Sequence, residues 1–188
     1  MAQLKIGRAL GAALHQAISE ILPSRLEFYE EWLTLDRIRE ETLSRAMVGA
    51  VLSFLREEPN NYNDVVTRAG YHTAEWALEA LPAWRGRFIC QMPRSFRVWF
   101  GLRRGTHLIR GLQSDGRLRW TVRRGCVVAS IKGSVFCQVR VPSGMPLCRF
   151  YAVLLKRCLE SLEVSCRVEA TRCCGIGHEV CEFIIEPE

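Results

Sequence analysis

The chain has 188 residues, of which 48% are hydrophobic and 24% are charged, and this composition excludes a disordered chain while allowing a core of useful size. The formal net charge is +6 and is unevenly distributed, because residues 85–124 contain eleven arginines and a single acid, Asp115. No run of 18 apolar residues is present, so no membrane span is predicted.

Cysteine is abundant, with nine residues in the chain. The first 22 residues carry an apolar pattern that His15 and Glu20 interrupt, which favours a core helix over a secretory signal. An odd number of cysteines without a signal is expected to represent reduced thiols or metal ligands. A cytoplasmic location is therefore predicted.

Residues 1–113 are predicted to be mainly helical. Apolar residues at helical spacing predict helices or helical pieces over residues 4–22, 25–34, 36–58, 63–81 and 95–112. Asp36 and Asn63 are the expected N-caps of two of these helices, while Pro23 and Pro82 are expected to stop others. Residues 82–94 are predicted to form a loop.

The hydrophobic period changes near Gly116. Residues 117–124 (RLRWTVRR) alternate apolar and basic side chains, which predicts a half-buried strand, and residues 126–132 predict a second strand. Residues 133–144 are compatible with strand or loop. A helix over residues 146–162, with Pro146 at its start, is then followed by two strands joined by a turn that contains Gly175 and Gly177.

This order of elements predicts a single α+β domain over residues 1–188. The N-terminal helices are expected to pack on a small antiparallel sheet, with one helix inserted before a C-terminal β-hairpin. Residues 116–186 would supply the strands and that inserted helix.

The stretch CCGIGHEVC (173–181) places two cysteines symmetrically about Gly177. In a hairpin centred on this glycine, Cys173 and Cys181 would be cross-strand neighbours with Cβ atoms about 4.5–5.5 Å apart, near enough to share a metal ion. The chemically suitable additional ligands are Cys148, His178, Cys137 and Glu169. No C-x-x-C pair is present, so spacing alone leaves a metal site, buried free thiols and a redox disulfide as alternatives.

Three segments of the C-terminal third resemble the 4-vinyl reductase domain family, also described as predicted hydrocarbon-binding domains. They are SIKGSVFC (130–137), PLCRFYAVLLKRCLE (146–160) and EATRCCGIGHEVCEF (169–183). The third segment has the family's form of a cysteine, a glycine four residues on, a second cysteine after four more residues, and a phenylalanine. The resemblance implies an α+β fold shared with vesicle-tethering TRAPP subunits, with heme-based gas sensors and with the sensor domains of bacterial phenol-responsive regulators.

The resemblance also implies a zinc ion. In the phenol-responsive sensors, zinc is held by a cysteine before the last helix, a glutamate and two hairpin cysteines. The matching cysteines here are Cys148, Cys173 and Cys181. Such a zinc would be structural, because it would fasten the last helix to the hairpin and its binding energy would contribute to folding.

The glutamate of that ligand set has no direct counterpart. The family spacing places it at Ala170, whereas Glu169 lies one residue earlier and would need a β-bulge to reach the metal. Otherwise the site is completed by another group, from the set of His178, Cys137, Cys174 and water.

The family resemblance favours a non-catalytic protein that binds or senses an apolar or aromatic small molecule, with a tetrapyrrole or a lipid chain among the candidates. Aromatic side chains could line its pocket, although core packing is the alternative use. The candidate ligand-binding residues are Trp76, Trp99, Phe100, Trp120 and Tyr151. His72 and His107 are possible heme ligands but are disfavoured.

Other functions remain as alternatives. The family name suggests a tetrapyrrole vinyl reductase or its accessory factor, but the sequence has no dinucleotide-binding fingerprint. A TRAPP-like interaction module is a further alternative, and a homodimer formed through the N-terminal helices is expected. Binding of nucleic acid through the arginine-rich segment 85–124 is disfavoured, and the role of this segment is left open.

Overall fold

The computed structural model describes residues 6–80, 88–123, 125–139 and 141–187. Within these ranges the α-helices are α1 (Arg8–Ile21), α2 (Leu26–Glu30), α3 (Leu35–Arg39), α4 (Arg45–Leu55), α5 (Pro59–Glu79), α6 (Arg94–Leu112) and α7 (Arg149–Glu160). The strands are β1 (Arg117–Arg123), β2 (Cys126–Lys132), β3 (Cys166–Arg172) and β4 (Cys181–Pro187). Short 3-10 turns occupy Pro23–Arg25, Val135–Cys137 and Cys174–Ile176.

The predicted helix over 36–58 is wrong, because the chain forms two helices there. The Thr34 side chain accepts a hydrogen bond from the Arg37 backbone N–H and so caps α3. Glu41 then adopts a left-handed conformation with φ of 54°, which ends any helical path. Ser44 caps α4 in the same way, by accepting from the N–H of Met47.

Two other predicted helix starts are displaced. Helix α5 begins at Pro59, whose missing N–H costs nothing in a first turn, so Asn63 lies inside the helix and does not cap it. Helix α7 begins after Cys148, so Pro146 precedes the helix. In the predicted loop 82–94, residues 88–90 form a helical turn, α6 starts at Arg94, and residues 81–87 lie outside the described ranges.

The four strands form one antiparallel sheet in the order β1-β2-β4-β3. Strands β3 and β4 are the predicted C-terminal hairpin, and β2 pairs with the other side of β4. The register between β3 and β4 shifts between Ala170 and Arg172, where a β-bulge is present. The predicted α+β fold, with one helix inserted before a C-terminal hairpin, is confirmed.

Helix α7 is the central helix of the core, because the sheet, α5 and α6 all pack against it. Glycines bring α5 and α6 close. A Cβ atom at Gly70 would lie 2.7 Å from the Phe150 carbonyl oxygen, and one at Gly101 would lie 2.8 Å from the Leu159 side chain. The buried face of α7 is therefore enclosed on several sides, and Phe150, Leu155 and Leu159 are all fully buried.

Strands β1 and β3 are the edges of the sheet. On β1, Arg117, Arg119 and Arg123 are exposed and follow one another on one face at alternating positions. Arg117 pairs across the strands with Lys132, so that two like charges lie opposite each other at this end of the sheet. The free edge of β1 is therefore strongly basic.

None of the helices in the described part of the chain is both long enough and apolar enough to cross a bilayer.

Candidate functional site

Four buried cysteines converge where α7, the β3–β4 turn and the segment after β2 meet. Cys148 is the residue immediately before α7, Cys173 and Cys181 flank the hairpin turn, and Cys137 ends the 3-10 turn after β2. Of these four residues, Cys137 is 7% exposed and the others are fully buried. Cys173 follows the Arg172–Glu182 pair, which places it opposite Cys181 as the symmetry about Gly177 predicts.

The distances within this cysteine cluster suit a single metal ion. The Cys137 sulfur lies 3.4 Å from the sulfurs of both Cys173 and Cys181, and these three sulfurs all lie within 4.8 Å of one another. The Cys148 thiol interacts with all three. Four thiolates around a tetrahedral zinc, at about 2.3 Å from the metal, are separated by about 3.8 Å, so a small adjustment would admit one ion.

Backbone N–H groups point at two of the sulfurs. Leu147 N and Gly175 N approach the Cys173 sulfur at 3.3 and 3.4 Å, and Cys174 N approaches the Cys181 sulfur at 3.4 Å. Such donors stabilise a thiolate and are a common second layer around metal ligands. Gly175 is required at its position, because a Cβ atom there would lie 2.7 Å from the Leu147 side chain.

The thiols perturb one another strongly. Hydrogen bonds from the thiols of Cys137, Cys148 and Cys181 lower the pKa of Cys173 far below its usual range. The pKa of Cys137 is also lowered, chiefly by its hydrogen bond with Cys148. The pKa values of Cys148 and Cys181 are raised, chiefly by hydrogen bonding to Cys137. In the thiol form of the cluster, negative charge is therefore concentrated on Cys173.

Two arginines at opposite ends of α4 hold the segment that carries Cys137. Arg45 donates to the carbonyl oxygens of Gly133 and Ser134 and forms an ion pair with Asp115. Arg56 donates to the carbonyl oxygens of Phe136 and Gln138 at 2.9 and 3.2 Å. These contacts fix the backbone on both sides of Cys137, so its position is set by α4 in the N-terminal half.

The other predicted metal ligands lie outside the cluster. Glu169 is exposed and forms an ion pair with Arg167, and the β-bulge at Thr171 does not bring its carboxylate among the sulfurs. His178 is exposed in the turn, where its backbone N–H donates to the Cys173 carbonyl oxygen. The structure thus brings together Cys148, Cys173 and Cys181 of the predicted set, with Cys137 as the fourth thiol.

Beside the cysteine cluster, three buried polar side chains face one another without satisfied hydrogen bonds. The Tyr151 hydroxyl, the Ser134 hydroxyl and the Gln113 amide nitrogen have no partner of normal geometry among the described residues. Ser134 and Gln113 nevertheless lie close enough to Tyr151 to affect its pKa, which burial raises far above its usual range. Tyr151 therefore stays a neutral O–H donor at physiological pH. We call these three residues the polar trio.

The polar trio lies against a closely packed aromatic group. The rings of Phe136 and Phe150 stack with centroids 4.5 Å apart, and the Tyr151 ring meets both of them edge to face at 5.4 Å. Gln113 is itself oriented by an N–H from Val135, which donates to its side-chain oxygen at 3.1 Å. An unsatisfied polar group costs about 1–3 kcal/mol when buried, so a hydroxyl or amide brought to this place would gain stabilisation.

The remaining predicted ligand-binding residues are distributed elsewhere. Trp76 is 37% exposed and stacks on His72, and Trp99 is 39% exposed beneath the Arg103 guanidinium. Phe100 and Trp120 are half-buried against the core. Of the predicted set, Tyr151 is the residue that the structure places in a buried site.

Sequence reasoning did not identify Gln113 or Ser134 as site residues. Gln113 directly follows α6 and carries no motif, so nothing in its sequence surroundings distinguishes it from a surface amide. Ser134 lies within the family-like segment 130–137 together with Cys137, and that segment was the available signal.

Comparisons with known proteins agree with this architecture. Residues 127–187 match the model of the 4-vinyl reductase domain family. An H-NOX domain from Shewanella oneidensis, solved by NMR in the Fe(II)CO ligation state, is 15% identical, with a TM-score of 0.60 over 97% of this chain and 98% of that one. The same organism's H-NOX protein in the Fe(II)NO ligation state is 14% identical, with a TM-score of 0.57 over 97% of this chain and 99% of that chain.

A third solved structure is the phenol-responsive sensory domain of the transcription activator PoxR with phenol. It is 17% identical, with a TM-score of 0.50 over 76% of this chain and 74% of that chain. The search of curated protein sequences gives no match. At these identities the solved structures establish the fold, whereas the family match identifies the segment that contains the cysteine cluster. The resemblance of the C-terminal third to the 4-vinyl reductase domain family is therefore confirmed over residues 127–187.

Proposed function

We propose that this protein is a non-catalytic binding or sensing protein for a small, largely apolar molecule that carries a hydroxyl or similar polar group. The observation that carries this proposal is the polar trio. Three unsatisfied polar atoms face one another beside stacked phenylalanine rings, and buried polar groups in folded proteins are rarely left without partners. Apolar walls with a few convergent polar groups are typical of small-molecule sites.

The expected ligand class follows from this chemistry. Gln113 Nε2 can only donate, while the Tyr151 and Ser134 hydroxyls can donate or accept, so a ligand hydroxyl could satisfy all three residues. Phenol, the molecule bound by the PoxR domain, has this character and is a suitable first probe. A tetrapyrrole or a lipid chain fits the site less well, because the aromatic group around Tyr151 is closely packed.

A binding measurement tests this assignment. Phenol and cyclohexane-carboxylate would be titrated separately into the protein, with binding followed by isothermal calorimetry. Phenol is expected to bind more tightly, and Tyr151→Phe is expected to weaken its binding about tenfold by removing one hydrogen bond in a buried site. Trp99→Phe, a comparable aromatic change at the surface, serves as the control. Absence of phenol binding together with an empty native mass spectrum would contradict the proposed function.

We also propose that Cys137, Cys148, Cys173 and Cys181 hold a structural zinc ion. The donor set fits, because four buried sulfurs lie near tetrahedral spacing and two of them accept backbone N–H groups. When bound, the metal would link the start of α7, the hairpin and the segment after β2. The groove of about 990 Å³ between α4 and residues 137–139 reaches Cys137 and gives an ion access to the cluster.

Metal content would be measured by native mass spectrometry on protein prepared without chelators. One zinc per chain is expected. Cys137→Ser should lower zinc occupancy and the unfolding midpoint, as should Cys173→Ser, whereas Cys126→Ser on the sheet should leave both unchanged. A metal-free wild-type protein would overturn the zinc assignment without affecting the ligand site.

Two expectations from the sequence remain proposals of a different kind. The absence of enzymatic activity would be tested with a vinyl-porphyrin substrate and either NADPH or reduced ferredoxin, where turnover would contradict the non-catalytic assignment. The homodimer would be tested by light scattering on the purified protein.

A further inference from the structure

A second groove, separate from the polar trio, runs between α7 and the free edge of β3. Its volume is about 710 Å³. One wall is formed by α7 through Arg149, Ala152, Val153 and Lys156, and the other wall is formed by the β3 segment 168–171. The side chains of Ala152, Val168 and Ala170 are half-buried against the core and form an apolar floor.

The strand residues that line this groove are consecutive. Side chains on a strand alternate between the two faces of a sheet, so a groove lying over one face would contact every second residue. Contact with four successive residues, 168–171, means that the groove follows the edge of the strand. Because β3 pairs only with β4 in the sheet, the backbone N–H and C=O groups of this edge have no strand partner.

The two walls have matching lengths. The helix residues lie at positions i, i+3, i+4 and i+7, so they share one face and span about 10 Å at the usual rise per residue. The four strand residues span about 10 Å as well. The groove therefore has a helix face on one side and a strand edge on the other over the same distance, which suits an extended chain.

The charges on the rim favour an acidic occupant. Glu169 is neutralised by Arg167, and Glu160 by Lys156 and Arg157. Arg149 is exposed, and within the described ranges its side chain has neither an ion pair nor a hydrogen bond. A cation at the first position of a helix is also unfavourable towards the helix dipole, so an anion bound there would be stabilised.

We propose that this groove is a docking site for an extended peptide segment of a partner protein that carries acidic side chains. The peptide adds to β3 as a fifth strand, its backbone pairs with the free edge, its apolar side chains contact the floor, and its carboxylates face Arg149. The groove is built from the same two elements that lead into the cysteine cluster, since Cys148 precedes α7 and Cys173 follows β3.

The probe for this proposal is a fluorescently labelled synthetic hexapeptide of alternating glutamate and valine, blocked at both ends. We expect a saturable rise in fluorescence anisotropy with the full-length protein and no binding of the matching lysine–valine peptide. Arg149→Glu should weaken binding about tenfold. This variant should fold, because an acidic residue is favoured in the first turn of a helix.

The matched control is Arg119→Glu on β1, which makes the same change in net charge at the opposite edge of the sheet. It should change the affinity by less than about twofold. Equal losses in the two variants would mean general attraction to a basic protein and would overturn the site. Absence of binding by the glutamate–valine peptide would do the same.

Two further peptides test strand addition directly. One is N-methylated on its glutamates and the other on its valines, which removes the backbone donors from opposite edges of the extended peptide. One of the two should lose binding and the other should keep it. Equal binding of both would overturn strand addition and leave a groove that recognises side chains only.

Discussion

The positions of individual side chains decide how this protein builds its buried sites. Cys137 illustrates the limit of sequence reasoning, because the sequence indicates it as one possible ligand but does not place it. Its segment, 133–144, carries no clear period, and its position depends on hydrogen bonds to Arg45 and Arg56 from a distant helix. Cys173 and Cys181 were predictable, because local hairpin symmetry is sufficient to pair them.

Glu20 is the residue from which we predict an acid-dependent loss of stability. Hydrogen bonds from Gln16, and then from Arg68 and His72, lower the pKa of Glu20 from its ordinary value of 4.5 to about 2. A carboxylate with a lowered folded-state pKa stabilises the fold above pH 4.5, and this contribution is lost as the pH falls towards 2.

Glu20→Gln should therefore lower the free energy of unfolding by about 1 kcal/mol at pH 6, the modest value expected for a partly exposed group. Urea denaturation at several pH values would measure this. The difference from wild type should narrow as the pH falls through the interval from 4.5 to 2, while Glu79→Gln on the exposed end of α5 should show no such trend. A difference that is independent of pH would refute the assignment.

At the scale of elements, the types of helix and strand were predictable and several boundaries were not. Alternation in 117–123 and 126–132 identified β1 and β2, because one face of each strand packs on the core. The sequence does not reveal the break between α3 and α4, because the apolar pattern continues across it and obscures the caps Thr34 and Ser44. A short polar turn inside a continuous hydrophobic pattern leaves little signal.

The cap of α4 supports a prediction about stability. Ser44 satisfies the N–H of Met47 at the start of the helix whose two arginines hold the Cys137 segment. Ser44→Ala should lower the free energy of unfolding by about 1 kcal/mol, and Ser44→Asp should retain it. Chemical denaturation would measure both, with Ser53→Ala on the exposed face of α4 as the control. Equal stabilities for the alanine variant and wild type would show that the cap does not contribute.

At the scale of the whole molecule, the family match covers only part of one folded unit. Residues 127–187 include β2, α7 and the hairpin, but β1 pairs with β2, and α5 and α6 cover α7. Tyr62 of α5 also donates a hydrogen bond to the Leu147 carbonyl oxygen at 2.7 Å, beside the cysteine cluster. The helical half of the chain therefore completes the core around the matched segment.

An isolated fragment of residues 125–188 should consequently fail to fold. Its central helix would expose Phe150, Leu154 and Leu155, which are fully buried in the complete chain. Circular dichroism during thermal unfolding should show no cooperative transition, with or without added zinc, whereas the full chain should show one. A cooperative transition in the fragment would mean that the family segment is an autonomous domain.

The row of arginines on β1 has a consequence for how copies of this protein behave in concentrated solution. An unpaired strand edge is a template for pairing with another chain, and two β1 edges brought together would place arginine side chains against each other. This electrostatic repulsion opposes edge-to-edge assembly at low ionic strength. Salt screens the repulsion over about 10 Å at 0.1 M and over shorter distances at higher concentrations, so the protein's resistance to self-association through this edge should decrease as salt is added.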